Sequence, residues 1–588
     1  MNGFYGRYLK IDLTLETVTI ESMAPEVLTR WLGGKGLAAY LLAELNPPGV
    51  DPMAPENALI FATGPLAGSM IWGSCRYGVF TKSPLTGLFA ESYSGGRTPD
   101  AMDAAGFDAV VIRGQAKAPV VLGIHPGGAD IHPARDLWGM ETYAAEDAVK
   151  ARFARPEYRK KGAVVIGPAA EHGVRFAVIE NDYWRSAGRT GAGTVMGAKK
   201  LKGILFTGDR KRPQADPDGV KGFSKKFMAD FKDHAAAQAY KNFGTPMLVK
   251  VTNTAGAFPT RYWQQGICPH WEKISADALV SRFKVKPNAC AKCFMACGNL
   301  STLQEGRHAG LTLEGPEYET IYAFGGLCMI DSIEEIAYLN DICDRLGMDT
   351  ITAGNLCAFT IEAVKHGRVD FPVDYGDPDG VAELLRRIAR REGIGAVLAE
   401  GIRHAAKAWS LEDMAVHVKG MEPAGYDPRP LKGMGLAYGT SDRGACHLRA
   451  TFYKPELSGM IPPEQIEGKA RLFLEFESRL TLFDMLILCR FYRDFYLWDT
   501  LKEAIALVTG LEAGEETLKE KALDVANRIR RFNLREGMTP RDDRLPAFLH
   551  QPLQDTGKVI TEQEMERLLK DYYRLHGWDE NGVPAPQE

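Results

Sequence analysis

The sequence predicts an α+β protein: a β-rich N-terminal domain over residues 1–210, followed by two mostly α-helical domains over 211–420 and 421–588. Three observations predict it. Short β-branched runs separated by Gly and Pro turns fill the first part. A polar stretch containing Pro and Gly, "DRKRPQADPDG" (209–219), marks a boundary. Beyond it, apolar residues recur at helical spacing.

Taken in order, "YLKIDL" (8–13), "ALIFAT" (58–63), "AVVIRG" (109–114), "PVVLGI" (119–124), "AVVIG" (163–167) and "GILFTG" (203–208) have strand length and β-branched content. Helices at about 24–45 and 97–106 interrupt them. In "DSIEEIAYLNDICDRLG" (331–347) Ser332 and Glu335 make a capping box, and Ile333, Ile336, Leu339, Cys343 and Leu346 keep one helical face. Gly347 suits the position just past the end. Two prolines in "MEPAGYDPRP" (421–430) set the weaker boundary, and no repeat of 20–50 residues is legible.

At 588 residues the chain can bury several cores, and 45% apolar with 25% charged residues is ordinary for a globular protein. A net charge of −4 argues against nucleic-acid binding. The run Arg386-Arg387 with Arg390-Arg391 reads as the solvated face of a helix. No run of 18 apolar residues and no targeting pattern is present, so the expected setting is cytoplasmic, with no membrane partner. There, a compact cysteine cluster points to metal rather than to disulfides.

"NACAKCFMACGNL" (288–300) places Cys290, Cys293 and Cys297 in C-x2-C-x3-C spacing with no fourth cysteine nearby. Thiolates suit zinc or iron–sulfur clusters, but structural zinc sites show paired ligands within a few tens of residues. Three local cysteines plus one distant thiol is a [4Fe–4S] habit. The spacing therefore favours a cluster over zinc or three unliganded thiols. Of the other cysteines, Cys489 in "TLFDMLILCRFY" (481–492) is the best fourth ligand, because Asp484 in that apolar run needs a hydrogen-bonding partner if buried. "GAGTVMG" (191–197) has GxGxxxG spacing with no strand leading directly into it, which speaks against a dinucleotide site.

The chain resembles the aldehyde:ferredoxin oxidoreductases, tungsten bis-pterin enzymes with three clustered cysteines and one near the C-terminal end. The motifs that carry the resemblance run in the family's order over nearly the whole chain: "GRYLKIDL", "RWLGGKGLAAYLL", "GPLAG", "RYGVFTKSPLTG", "SGGR", "AGRTGAGTVMGAKKLK", "EGPEYET", "LGMDT", "YDPRP", "DRGACH" and "RRFNLREGMTPRDDRLP".

The resemblance implies that the N-terminal domain is a platform for the cofactor, a tungsten (or molybdenum) bis-pterin whose phosphates meet at Mg2+. Tyr93, Gly95, Ala187, Gly188 and Arg189 are implied to border the pterins and phosphates, with the metal contacts made by backbone carbonyls; Tyr93 stands where Asn is usual. Asp344, Met348 and Asp349 match one pterin clamp, and Asp484, Leu488 and Cys489 the other, where Ile487 replaces the usual Gly. Arg76 is implied to bridge cluster and pterin, and Arg443, Gly444, Ala445 and Cys446 to neighbour a pterin, with Cys446 not a metal ligand. Glu319 and His447 are the implied catalytic pair, as general base and as carbonyl-polarising imidazole. Glu314 and Glu317 share that segment and are candidates for a structural role. Tyr338 and Asp341 stand where some members carry an iron-binding E-x-x-H pair, so no bridging iron is expected, and a homodimer and a hetero-oligomer both stay open.

The implied activity is oxidation of an aldehyde to its carboxylic acid, with electrons passing through the [4Fe–4S] cluster to ferredoxin or an iron–sulfur partner subunit. One alternative is the active-site subunit of a tungsten-dependent aromatic acyl-CoA (benzoyl-CoA type) reductase. Another, from a different class, is a cofactor-free iron–sulfur electron-transfer protein.

Overall fold

The computed structural model describes residues 1–586. In the first 210 residues, β1 (Arg7–Asp12), β2 (Thr17–Ser22), β3 (Leu59–Ala62), β4 (Tyr77–Lys82), β5 (Phe89–Ser94) and β6 (Ala109–Arg113) form one sheet, in order β2-β1-β6-β3-β4-β5. A second sheet contains β7 (Val120–His125), β8 (Gly128–Pro133), β9 (Lys160–Val165), β10 (Ile179–Asn181), β11 (Arg185–Ala187) and β12 (Leu201–Gly208), in order β11-β10-β9-β12-β7-β8. The expected strands are all present. Those missed are short, or sit in polar sequence such as "TVTIES" on the exposed edge.

The two sheets share one topology. Each has a single parallel pair, β1 with β6 and β7 with β12, and every other pairing is antiparallel. Read from its own first strand, each runs 2-1-6-3-4-5. Sequence echoes follow: "RYGVF" (76–80) enters β4 as "RFAVI" (175–179) enters β10, and "SGGRT" (94–98) leaves β5 as "SAGRT" (186–190) leaves β11. The echoes lie more than ninety residues apart, far beyond a solenoid period.

Both faces of β3, β4 and β6 are buried, which explains their continuous apolar runs. Leu59 and Phe61 of β3 point into a core shared with Val164, Ile204 and Phe206 of the second sheet. Their alternates Ile60 and Ala62 face a core made with Leu42, Phe483 and Ile529 from the helices. Each such side chain, fully buried, contributes about 1.5–3 kcal/mol.

The helix expected at 24–45 is broken into Pro25–Trp31 and Gly34–Leu45. Leu32 and Gly34 have positive φ at the break, and a Cβ on Gly34 would run into the Asp484 carbonyl and the Ile487 side chain. That close approach seats the second helix against residues 484–487. The helix Ile333–Leu346 ends at Gly347 in the left-handed region, as expected. Its capping box is half made: Ser332 accepts the Glu335 N–H, but the Glu335 carboxylate turns instead to Arg307 and His308.

The chain beyond 210 is mostly helical but also holds a small sheet, β13 (Phe283–Asn288), β14 (Gly298–Leu303) and β15 (Thr312–Glu314). Lys and Pro in β13 hide its strand pattern. Residues 421–430, where the sequence places its weaker boundary, are buried throughout. Among the described residues no helix is long and apolar enough to cross a membrane.

Candidate functional site

Three adjoining cavities open where the two large sheets, the small sheet and the helices meet; Ser186 and Glu317 line all three. The first, about 290 Å³, is lined by Cys290, Cys293, Cys297 and Cys489. The first three sit in the loop joining β13 to β14, where Lys292 and Ala296 adopt positive φ. Cys489 follows the end of the helix Lys469–Leu486 and is pinned by its N–H to the Gly73 carbonyl at 2.8 Å. A fifth thiol, Cys75, lines the same space.

Among the described residues no three His, Cys, Asp or Glu side chains converge closely enough to hold one metal ion. The four thiols line one cavity, an arrangement that a multi-iron cluster fits. Donors surround the sulfurs: Gly96 N–H reaches Cys290 Sγ at 3.1 Å, the Arg76 guanidinium lies 3.6 Å from Cys489 Sγ, and the Tyr492 hydroxyl is 3.3 Å from Cys293 Sγ. Burial, reinforced by the neighbouring thiols, pushes Cys293 up to about 11 and Cys297 well above the ordinary thiol value. A cationic centre bound between them would favour their ionised forms.

The second cavity, about 350 Å³, is lined by Arg76, Tyr93, Glu319, His447, Asp484, Leu488 and Cys489, among others. Glu319 Oε1 lies 3.5 Å from His447 Nε2, and Glu319 Oε2 accepts the Gly425 N–H at 2.9 Å. Burial pushes Glu319 up to about 8. Burial, joined by Arg189 and Arg443, holds His447 well below its usual value. The pair is therefore a carboxylic acid beside a neutral imidazole near pH 7, not an ion pair. Glu319 Oε1 and His447 Nδ1 are buried without hydrogen-bond partners. Glu317 accepts from the Thr245 hydroxyl, while Glu314 pairs with Arg185, and burial raises both carboxyls.

The third cavity, about 200 Å³, is lined by Gly188, Arg189, Asp344, Met348 and Asp349. Arg189 Nε bonds Asp349 Oδ2 at 3.0 Å, and Asp349 Oδ1 also caps the helix Thr350–Lys365 through Ile351 N–H. Burial and Glu180 raise Asp344 well above the carboxylate range, and it accepts from Asn340 at 2.7 Å.

The two clamps share one backbone device. Gly347 and Ile487 both take the left-handed conformation at a helix end. Met348 N–H then reaches the Cys343 carbonyl at 2.9 Å, and Leu488 N–H the Phe483 carbonyl at 2.8 Å. Ile487 makes the same turn as glycine at a steric cost of about 1–2 kcal/mol.

A buried charge network stands behind the second clamp. Asp484 Oδ2 accepts from Arg449 at 2.8 Å and from Arg490 at 2.5 Å. Arg449 also binds Glu91, which pairs with Lys35 at 3.2 Å and accepts the Tyr93 hydroxyl at 2.6 Å. Burial would raise Glu91, but Arg449, Lys35 and Arg443 bring it down to about 2. Lys35, Glu91, Arg449 and Arg490 escaped the sequence reading; only the charge of Lys35 inside "GGKG" and of Arg449 close after His447 could have signalled them.

Gly95 lines the cysteine cavity, and a Cβ there would stand 2.9 Å from Cys290 Sγ. Its carbonyl accepts from Asn181, and Arg189 N–H bonds Ser92 Oγ at 3.2 Å, so the two glycine turns after β5 and β11 lie side by side. Ala187, Arg443, Gly444, Ala445 and Cys446 line none of the three cavities. They stand one layer back: Arg443 binds the Glu91 carbonyl, Ala445 O accepts from Arg189, and Cys446 Sγ accepts from Arg443 at 3.0 Å. Burial would raise the Cys446 thiol, but Arg443 and Arg449 lower it to about 7. Tyr338 and Asp341 are engaged within the chain, Tyr338 with Arg386 and Asp341 with Arg345.

The chain matches the family model for the N-terminal domain of aldehyde ferredoxin oxidoreductase over residues 8–208, and that for domains 2 and 3 over 222–588. It is 33% identical to the tungsten-containing aldehyde ferredoxin oxidoreductase of Pyrococcus furiosus, over 99% of this chain and 97% of the relative. It is 34% identical to the protein of that name from Thermococcus kodakarensis, with the same coverage. Among solved structures, it superposes with a TM-score of 0.84 on the active-site complex of benzoyl coenzyme A reductase with 1,5-dienoyl-CoA. That likeness covers 99% of this chain and 96% of that one at 24% identity, and shows a shared fold.

Proposed function

Because the chain belongs to the aldehyde ferredoxin oxidoreductase family, we propose that it oxidises an aldehyde to the corresponding carboxylic acid in the cavity that holds Glu319 and His447. The observation that carries this reading is that pair, buried with one unpartnered polar atom each. The overall change adds the oxygen of water and releases two protons and two electrons. A tungsten bis-pterin, when bound, supplies a two-electron redox centre.

The chain supplies the rest. His447, neutral, donates an N–H to the substrate oxygen, and Glu319 in its ionised form takes a proton from water. Cys290, Cys293, Cys297 and Cys489 would hold a [4Fe–4S] cluster. The turns at Tyr93–Gly95 and Ala187–Arg189 would cradle the pterin phosphates and their Mg2+. The clamps at 344–349 and 484–489 would hold the two pterins. The unpartnered guanidinium nitrogens of Arg449 and Arg490 suit that polar load. Arg76 touches both Cys489 and the Tyr93 carbonyl, and so would stand between pterin and cluster when both are bound. Electrons would leave to ferredoxin or an iron–sulfur subunit in the cytoplasm, from a chain acting as a homodimer or within a hetero-oligomer.

The test is anaerobic purification, elemental analysis and turnover of aldehydes with a low-potential dye. About one tungsten and about four irons per chain, with aldehyde-dependent dye reduction, support the reading. Turnover restricted to an aromatic thioester selects the acyl-CoA reductase reading instead. Iron without tungsten or pterin selects the simple electron carrier.

A further inference from the structure

The cysteine loop reaches the surface at Lys292, which is exposed between Cys290 and Cys293. Lys292 Nζ meets the Gly68 carbonyl at 3.2 Å, and the Cys489 N–H binds the Gly73 carbonyl, so residues 68–73 touch both cysteine segments. Trp72, partly exposed, packs on Phe294 of the loop with ring centroids 5.3 Å apart. Its Nε1 donates to the Ser224 carbonyl at 2.9 Å, and the Ser224 hydroxyl donates to the Met70 carbonyl at 2.6 Å. The helix Pro217–Phe231 therefore borders the same face.

The centre of this face is apolar and its rim is basic. Met70 is 47% exposed, and Met228, one turn beyond Ser224 on the helix, is 36% exposed. Helical spacing puts the exposed Lys221 and Lys225 on the side of the helix that Met228 occupies. Beside the cysteine loop, Lys160 and Lys292 share Asp100 at 2.9 Å and 3.4 Å, and Arg97 is exposed. The other nearby acids are engaged, Asp218 with Lys221 and Asp182 with the N–H groups of Arg97 and Thr98. The rim is thus net positive on a chain whose net charge is −4. An exposed apolar patch ringed by charge marks a protein contact, and the sign selects an acidic partner. Electron transfer falls steeply with distance, so a carrier served by the cysteine loop must approach where that loop meets solvent.

Resting on the reading in which electrons leave by way of these cysteines, we propose that this face is the docking site of a small acidic iron–sulfur protein. The partner seats apolar surface on Met70, Trp72 and Met228. Its carboxylates meet the basic rim, with Lys225 on one side and Arg97 on the other. Charge steers the encounter and the small apolar centre keeps it brief, as a carrier that must leave again requires.

The test takes the holoenzyme and an acidic ferredoxin, measures Kd at equilibrium, and then uses the ferredoxin as electron acceptor beside a small viologen dye. Raising the ionic strength from about 0.05 M to about 0.5 M should lower kcat/KM for ferredoxin by roughly 10-fold and leave dye reduction nearly unchanged. Lys221→Glu with Lys225→Glu should weaken ferredoxin binding by roughly 10-fold. Arg390→Glu with Lys407→Glu, an equal charge change at exposed positions on two other helices, should not. Equal losses from the two double variants, no loss from either, or tighter binding of the basic carrier cytochrome c overturn the proposal. So does a change of oligomeric state in Lys221→Glu with Lys225→Glu while ferredoxin binding stays intact, which would give the face to a second copy of the chain. Absence of aldehyde turnover with the dye sinks the parent reading alone, because the binding constants still decide the docking face.

Discussion

Glu319 Oε1 and His447 Nε2 lie 3.5 Å apart although 128 residues separate them in the chain. The distance is too long for a strong hydrogen bond, and both groups are held in their neutral forms by burial. Such a pair is poised to change charge when a substrate arrives between or beside it.

The first prediction concerns pH. As the proposed base Glu319 acts only when ionised, and burial pushes it up to about 8. kcat/KM for an aldehyde should therefore rise with pH through about 8, where an unperturbed glutamate would have been fully ionised far below. Glu319→Gln should lower kcat by about 10²- to 10⁴-fold and abolish that limb. A flat profile between pH 6 and 9 in the unmodified enzyme would remove the role.

Cys489→Ser should lose or destabilise the cluster. Its readouts are iron content and the electron paramagnetic resonance of the reduced protein. A variant retaining the full complement of iron and full activity would take Cys489 out of the ligand set.

Gly34→Ala should loosen the second clamp. Gly34 has φ +44, and an added Cβ would lie 2.7 Å from the Ile487 side chain besides meeting the Asp484 carbonyl. Strain and overpacking together should destabilise by about 2–4 kcal/mol. The expected result is a lower apparent melting temperature and less bound pterin; an unchanged melting curve would contradict it.

Arg449→Met strips the buried partner of both Glu91 and Asp484, and should cost about 3–5 kcal/mol in denaturant unfolding. The network also has a pH signature. Glu91 is depressed from 4.5 to about 2 in the folded protein, so its contribution is full above pH 4.5 and is lost as pH falls toward 2. In Arg449→Met that depression shrinks, and acid unfolding followed by tryptophan fluorescence should begin at higher pH. Coincident acid transitions would show that Arg449 does not hold Glu91 down.

Much of the frame was legible in one dimension. β-Branched runs fixed six strands because each is buried on one or both faces, and Gly347 ended its helix because only the left-handed region closes that turn. The clustering of Cys290, Cys293 and Cys297 was plain because one loop carries all three. Lys35 and Arg449 were invisible as site residues, since a lone cation in sequence has no stated partner. The doubled sheet was hidden by its long period and its divergent core residues.

Local chemistry, then, is what the sequence by itself determined: strand and helix periodicity, the thiol loop, the acids at the two helix ends. The tertiary structure alone decided which of these face one another. It brought Cys489 to the loop, Arg189 to Asp349 and His447 to Glu319, and it set Asp344 beside Glu180, where burial and the neighbouring carboxyl push Asp344 upward. The physical reason is that charge state and ligand geometry depend on burial and on neighbours across space, and those are properties of packing between distant segments, not of any one segment's residues.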